Sequence, residues 1–245
     1  VDTDVLWNLP PGDVARRKVG FHTMSPLNKP EYYEFLYEKS SRNRIFVTAK
    51  TLFASLGYDN TSTALIARNA GTSESQLMKH FGGKAGLLET IFTEGWDKVT
   101  AKLVPCFESA ADLNSRLACV PGVVFHVLDQ DLELKTLVLL EGQRMRQTAY
   151  EKGNATGYGR YLDAIDQAIE KARNEEGFPG SASTLCMRSA IAGIVEGGVR
   201  DQMLASRANY PAAFTGDEYT EVVARFLRTL AHGTLSGQHQ ICAHS

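Results

Sequence analysis

No stretch of this 245-residue chain stays apolar for the roughly 20 residues that a bilayer-crossing helix needs, and no cationic segment followed by an apolar one opens it. A water-soluble protein of the cytoplasm is therefore expected. Cysteine is scarce: Cys106, Cys119, Cys186 and Cys242 stand apart with no CxxC pair, which argues against a zinc ribbon or a disulfide framework. Reduced, mostly buried thiols follow. His239, Cys242 and His244 can be drawn as a metal site, but they lie in a polar tail without a fourth partner nearby, so no metal is expected. No segment alternates like a strand between hairpin turns. Catalytic signatures are missing too: there is no GxSxG turn and no HExxH, and Met78 stands where a phosphate loop ending at Gly83 and Lys84 would need glycine. Gly157 and Gly159 fail the dinucleotide spacing. Neither a cofactor nor an enzyme activity is expected.

What is present is helical. With 43% apolar and 22% charged residues and a net charge of -2, the chain suits an all-α globular protein of one large or two smaller domains. Residues 61–81, TSTALIARNAGTSESQLMKHF, read as two short helices joined by a tight turn. Thr61, Ser62 and Thr63 offer hydroxyls to the unpaired amides of a helix start. Leu65, Ile66 and Ala70 supply an apolar side, and Gly71 sits where a helix ends in the left-handed conformation that glycine adopts most cheaply. Ser73 restarts the chain as an N-cap, and Leu77 with Phe81 gives the new helix one buried edge. Ser75, Gln76, Lys79 and His80 are left facing outward, a set suited to a helix lying in a major groove. An ordinary helical corner would carry much of the same pattern.

The flanks favour the DNA reading. Upstream, Ile45, Phe46, Ala49, Leu52, Phe53 and Leu56 form a helical stripe that closes at Gly57, and downstream an amphipathic run opens with Leu87, Leu88, Ile91 and Phe92. Between residues 42 and 84 the cations Arg42, Arg44, Lys50, Arg68, Lys79 and Lys84 face only Asp59 and Glu74. A basic module in a slightly acidic chain points to a local polyanion contact.

The segment GYDNTSTALIARNAGTSESQLMKHFGGKAGLLETIF resembles the amino-terminal domain of the TetR family of transcriptional regulators. Gly57, Tyr58, Thr61, Ile66, Ala67, Ala70, Gly71, Ser73, Leu77, His80, Phe81, Lys84, Leu87 and Leu88 carry the resemblance. It departs where the family commonly has a small pair, then Leu and Tyr: here stand Ser75, Gln76, Leu77 and Met78. In the family that tyrosine often helps hold a phosphate. Gly82 and Gly83 also replace a usually stiffer pair. The resemblance implies contacts to a double-stranded DNA operator from Arg44, Thr61, Ser62, Thr63, Thr72, Ser73, Ser75, Gln76, Lys79, His80 and Lys84.

Four segments are expected: an extension over residues 1–41, the DNA-binding domain over 42–84, a helical ligand-binding and dimerisation domain over 85–233, and a tail over 234–245. In the larger domain the pattern predicts a helix from 85 to about 104 ended by Pro105, a second from 113 to about 128 interrupted and kinked at Pro121, and a third capped by Asp131 and ended at Gly153. Tyr158, Tyr161, Leu162, Ile165, Ala168, Ile169 and Ala172 make a further stripe that stops at Gly177. Three helices in the first domain and six in the second result.

The resemblance implies a cavity for a small-molecule effector. Its candidate lining is Phe92, Trp96, Phe125, His126, Glu141, Arg144, Met145, Tyr158 and Tyr161, a set suited to a mostly apolar, drug-sized ligand. Each has a blander reading: the aromatics as core, and Glu141 with Arg144 as an i,i+3 ion pair. The family dimerises through its last two helices. Ala192, Gly193 and Gly197, with the stripe Tyr219, Val223, Phe226 and Leu230, are the corresponding candidates for a homodimer interface, although packing within one subunit fits the same residues. Arg16, Arg17 and Lys18 could serve as a basic arm, and residues 30–39 as a short helix. Repression, released by the effector, is the expected mode. Two alternatives stay open: a protein of this fold that acts through protein contacts instead of an operator, and an all-α enzyme.

Overall fold

The computed structural model describes residues 40–176, 183–205 and 214–236, with side chains described for 40–174, 183–205 and 214–226. The Arg16–Lys18 cluster, the expected helix over 30–39 and the tail with His239, Cys242 and His244 lie outside the described residues. Among those described, nine α-helices and one short 3-10 turn occur and no strand. They fall into two compact units, one ending at Leu87 and the next starting at Leu88.

The first unit contains α1 (Ser41–Leu56), α2 (Thr63–Asn69) and α3 (Glu74–Phe81). Each starts on a serine: the hydroxyls of Ser40, Ser62 and Ser73 accept from the amides of Asn43, Leu65 and Gln76. Ile45, Ala49, Phe53, Ile66, Ala70, Leu77 and Leu87 form a closed core, while Leu56, the end of the predicted stripe, is 48% exposed.

The second unit holds α5 (Leu113–Asp129), α6 (Leu132–Lys152), the 3-10 turn Gly153–Ala155, α7 (Gly157–Glu176), α8 (Thr184–Ala205), α9 (Gly216–Ser236) and most of α4 (Lys84–Ser109). Contrary to expectation, α4 passes through Pro105. Proline leaves the carbonyl four residues earlier without its donor; here Ala101 and Pro105 lie on an exposed edge, where that loss costs less than in a core. Nor does Pro121 break α5. Asp131 caps α6 by accepting from the Leu134 amide, and Gly153, at φ 55°, ends it.

An aromatic cluster fills the centre of this unit. Trp96 sits 4.9 Å from the Tyr158 ring and 4.6 Å from that of Tyr161, and its indole N–H donates to Met145 Sδ at 2.8 Å. Such rings contribute both buried area and directed contacts. Two close approaches fix the helices around it. A Cβ on Gly157 would stand 2.4 Å from the Thr93 carbonyl oxygen and 2.7 Å from its Cα, so α7 can start only where it touches the α4 backbone. At Gly198 a Cβ would meet the Tyr219 ring at 2.4 Å, and the Tyr219 hydroxyl donates to the Ile194 carbonyl at 2.6 Å. Gly198 of α8 thus serves a crossing with α9 inside the chain. α9 also lies along α5, with the Phe125 and Tyr219 rings 5.5 Å apart.

Gly157→Ala should be costly, because backbone cannot step aside as a side chain can. A loss of about 2 kcal/mol or more is expected, read by urea unfolding of the full chain; an unchanged midpoint would mean that α4 and α7 do not meet this closely.

Candidate nucleic-acid interface

The outer edge of α3 is built by elimination. Leu77 and Phe81 are turned into the core, at 0% and 8% exposure, so Ser75 and Lys79 stand outermost, with Gln76 half-buried on one flank and Met78, 54% exposed, on the other. Gly71, at φ 60°, makes the turn before it. Thr72 is half-buried and Ser73 exposed at its start, where free amides and the helix dipole favour an anion such as phosphate. Glu74 is drawn aside by Thr63, whose hydroxyl donates to Oε2 at 2.6 Å. Ser62, the cap of α2, is exposed as well. So is Arg68 in the last turn of α2, a residue that sequence reasoning counted only as charge.

Several expected contact residues make bonds that hold the motif together. Thr61 is fully buried, and its hydroxyl donates to the Gly57 carbonyl at 2.8 Å, leaving no surface for DNA. Arg44 turns its guanidinium onto the end of α2, with Nε donating to the Ala70 carbonyl at 3.1 Å and Nη2 to that of Gly71 at 3.4 Å. It answers carbonyls that the helix cannot pair itself. His80 is half-buried, with Nε2 3.1 Å from the Ser41 hydroxyl. Lys84 donates to the Tyr58 carbonyl at 2.8 Å with its ammonium 4.2 Å from the ring centre.

In the second unit most of the expected ligand-lining residues are engaged in packing or in pairs with neighbours. Phe92, Trp96, Phe125, Met145 and Tyr161 are packed core at 5% exposure or less. His126 is exposed and pairs with Gln130 at 3.1 Å. Glu141 and Arg144 form an ion pair at 2.8 Å. Tyr158 lines a cleft of about 450 Å³ between α6, α7 and α8, whose lining includes none of the other eight. Two arginines and three carboxylates stand among its lining residues. Glu196 accepts from the Tyr158 hydroxyl and from Arg146 Nη1, both at 2.6 Å, and Arg188 pairs with Asp166 at 2.5 Å. Burial, then the Glu196 charge, pushes the Tyr158 hydroxyl far above the ordinary phenol range, so it acts as a donor. Burial likewise raises the Asp166 carboxyl, against the pull of Arg188. Sequence reasoning passed over Arg146, Asp163, Asp166 and Arg188, whose one signal was i,i+3 and i,i+4 spacing at the edge of an apolar stripe.

The dimer candidates also divide. Ala192 and Val223 are 8% and 6% exposed within the one subunit, and the half-buried Tyr219 is tied to α8, so all three take part in packing inside the chain. Gly193 is exposed, Gly197 half-buried and Phe226 53% exposed, beside Val222 at 66%. The Leu230 side chain lies outside those described.

Residues 45–91, which span this helix-turn-helix, match the family model of bacterial regulatory proteins of the tetR family. That segment is a DNA-binding domain of tetR type. Across more of its length, the nucleoid occlusion factor SlmA of Photobacterium profundum is 22% identical over 178 residues, covering 72% of this chain and 89% of that one. Among solved structures, the fatty acid degradation regulator FadR from Bacillus halodurans superimposes with a TM-score of 0.64 at 19% identity, over 78% of this chain and 95% of that one. FadR from Bacillus subtilis in complex with stearoyl-CoA does so equally, at 0.64 and 19%, over 76% and 96%. At that identity the likeness establishes the TetR fold.

The placement of Arg44 generates a test. Arg44→Ala should lower unfolding stability by about 1–2 kcal/mol, through lost hydrogen bonds to the carbonyls closing α2, whereas Ser75→Ala on the outer edge should stay within about 0.5 kcal/mol of the parent. Chemical unfolding of both variants checks this, and equal stabilities would return Arg44 to the surface.

Proposed function

We propose that this protein of TetR fold is a ligand-responsive regulator of transcription in the cytoplasm, a homodimer that represses from a roughly palindromic operator until a small molecule releases it. The observation that carries the reading is the outer edge of α3. Its Ser75, Gln76 and Lys79 are free of the core, while the helix start, the turn and the end of α2 are satisfied by Ser73, Gly71 and Arg44. A helix held so firmly from behind can present an amide to a base edge and a cation to phosphate.

A second copy of the chain supplies the other half-site. Exposed Val222 and Phe226 on α9, with Gly193 on α8, are the apolar and small surface from which such a pairing would be built. Two α3 helices related by a two-fold axis then meet major grooves about one helical turn apart, ~34 Å. Release is linkage: an effector that prefers the conformation unable to span those grooves lowers operator affinity by its preference ratio, however tightly it binds overall. The stearoyl-CoA bound to Bacillus subtilis FadR supports a small-molecule effector for this fold. α4, whose first residues belong to one unit and the remainder to the other, is the covalent route between the two.

Selection from a random duplex library followed by mobility shifts tests the reading. Gln76→Ala should cost about 1–3 kcal/mol and relax preference at one base pair of each half-site, while Lys79→Ala should weaken all sequences alike and reduce the salt slope by about 1 per subunit. A folded protein that enriches no duplex would overturn operator binding and favour action through protein contacts.

A further inference from the structure

We propose that the cleft between α6, α7 and α8 binds a compact organic amine, carried as an ammonium ion on a short apolar body. This rests on the reading that the second unit takes a small effector, and it names the chemical class. The volume of about 450 Å³ lies within the range of small-molecule sites. Its middle is opened by small side chains, Ala149 and Ala192 with Gly193, around Leu162. Between Ser189 and Glu196, which line it along α8, the helix rises about 10 Å, the length of a short chain rather than of a long lipid.

Charge selects the ligand. Two arginines face three carboxylates in this cleft. Arg146 is taken up by Glu196, whose other oxygen is held by Tyr158, and Arg188 by one oxygen of Asp166. The second oxygen of Asp166 is buried and has no hydrogen-bond partner among the described residues. Asp163, one turn earlier on α7, accepts from the neutral amide of Gln167 at 2.7 Å and from no cation among the described residues. One negative charge therefore stands uncompensated beside a second carboxylate short of a donor. An ammonium seated on Asp163 answers both, the first by direct charge-assisted hydrogen bonding and the second through its field. The Tyr150 ring, 86% exposed at the rim, adds a face for a cation. A carboxylate ligand would meet net repulsion, and a neutral one would leave Asp163 unanswered.

Calorimetric titration of the full chain with n-hexylamine, and with hexan-1-ol and hexanoate as chains of equal length, tests the assignment. Hexylamine should bind and the other two should not. Asp163→Asn should weaken hexylamine by about tenfold or more, while Glu151→Gln, outside the cleft, should leave it unchanged, with circular dichroism showing both variants folded. The proposal is overturned if hexylamine does not bind, if hexanol binds as well, if hexanoate binds more tightly, or if Asp163→Asn makes no difference. Calorimetry involves no DNA. Loss of duplex selection would sink the regulatory reading and leave amine binding standing, and the converse result would sink only the amine.

Discussion

An eight-residue helix such as α3 does not hold its shape alone in water, because nucleation is costly and too few hydrogen bonds follow to repay it. Everything on its outer edge therefore depends on Leu77 and Phe81 being locked behind it. The lock is more than apolar: Arg44 ties the end of α2, Thr61 ties the turn after α1, and His80 reaches Ser41. Polar residues that resemble DNA contacts in the sequence make hydrogen bonds that hold α3 in place. Rigidity at the back is what lets Ser75, Gln76 and Lys79 be positioned at the front.

The second unit follows a different constraint. Trp96, Tyr158, Tyr161 and Met145 pack into the space where a hydrophobic effector was expected, and the packing is close enough that α7 starts against bare α4 backbone at Gly157. Room is left on the α6–α7–α8 side, where charged side chains on neighbouring helices pair across it. Burial there raises the importance of every unmet charge, since a carboxylate out of water needs a donor or a cation. The chemistry of the open cleft is thus set by which side chains were spent filling the closed core.

Much of the architecture was legible in the chain. Caps at Ser62, Ser73 and Asp131, the left-handed Gly71 and the stripes of α1 and α7 are local signals, decided within a turn or two by hydrogen bonding and side-chain period. Prolines misled: a break at Pro105 follows from local rules, but the residue lies on an exposed edge, where a lost hydrogen bond is cheaper than in a core, and the helix continues. The motif as a class was also legible, because the spacing of Gly71, Ser73, Leu77 and Phe81 is set within one short segment.

The sequence by itself determined which segments are helical, where they are capped, and that a basic helix-turn-helix of TetR type precedes a larger helical unit. Only the tertiary structure decided what each polar or aromatic side chain faces. Arg44 meets residues 26 and 27 positions away, Arg146 meets Glu196 across 50, and Tyr219 meets Gly198 through a helix crossing. Periodicity gives a residue its face on a helix. It does not give that face its neighbour, and whether a side chain becomes core, clamp or contact is settled by the neighbour.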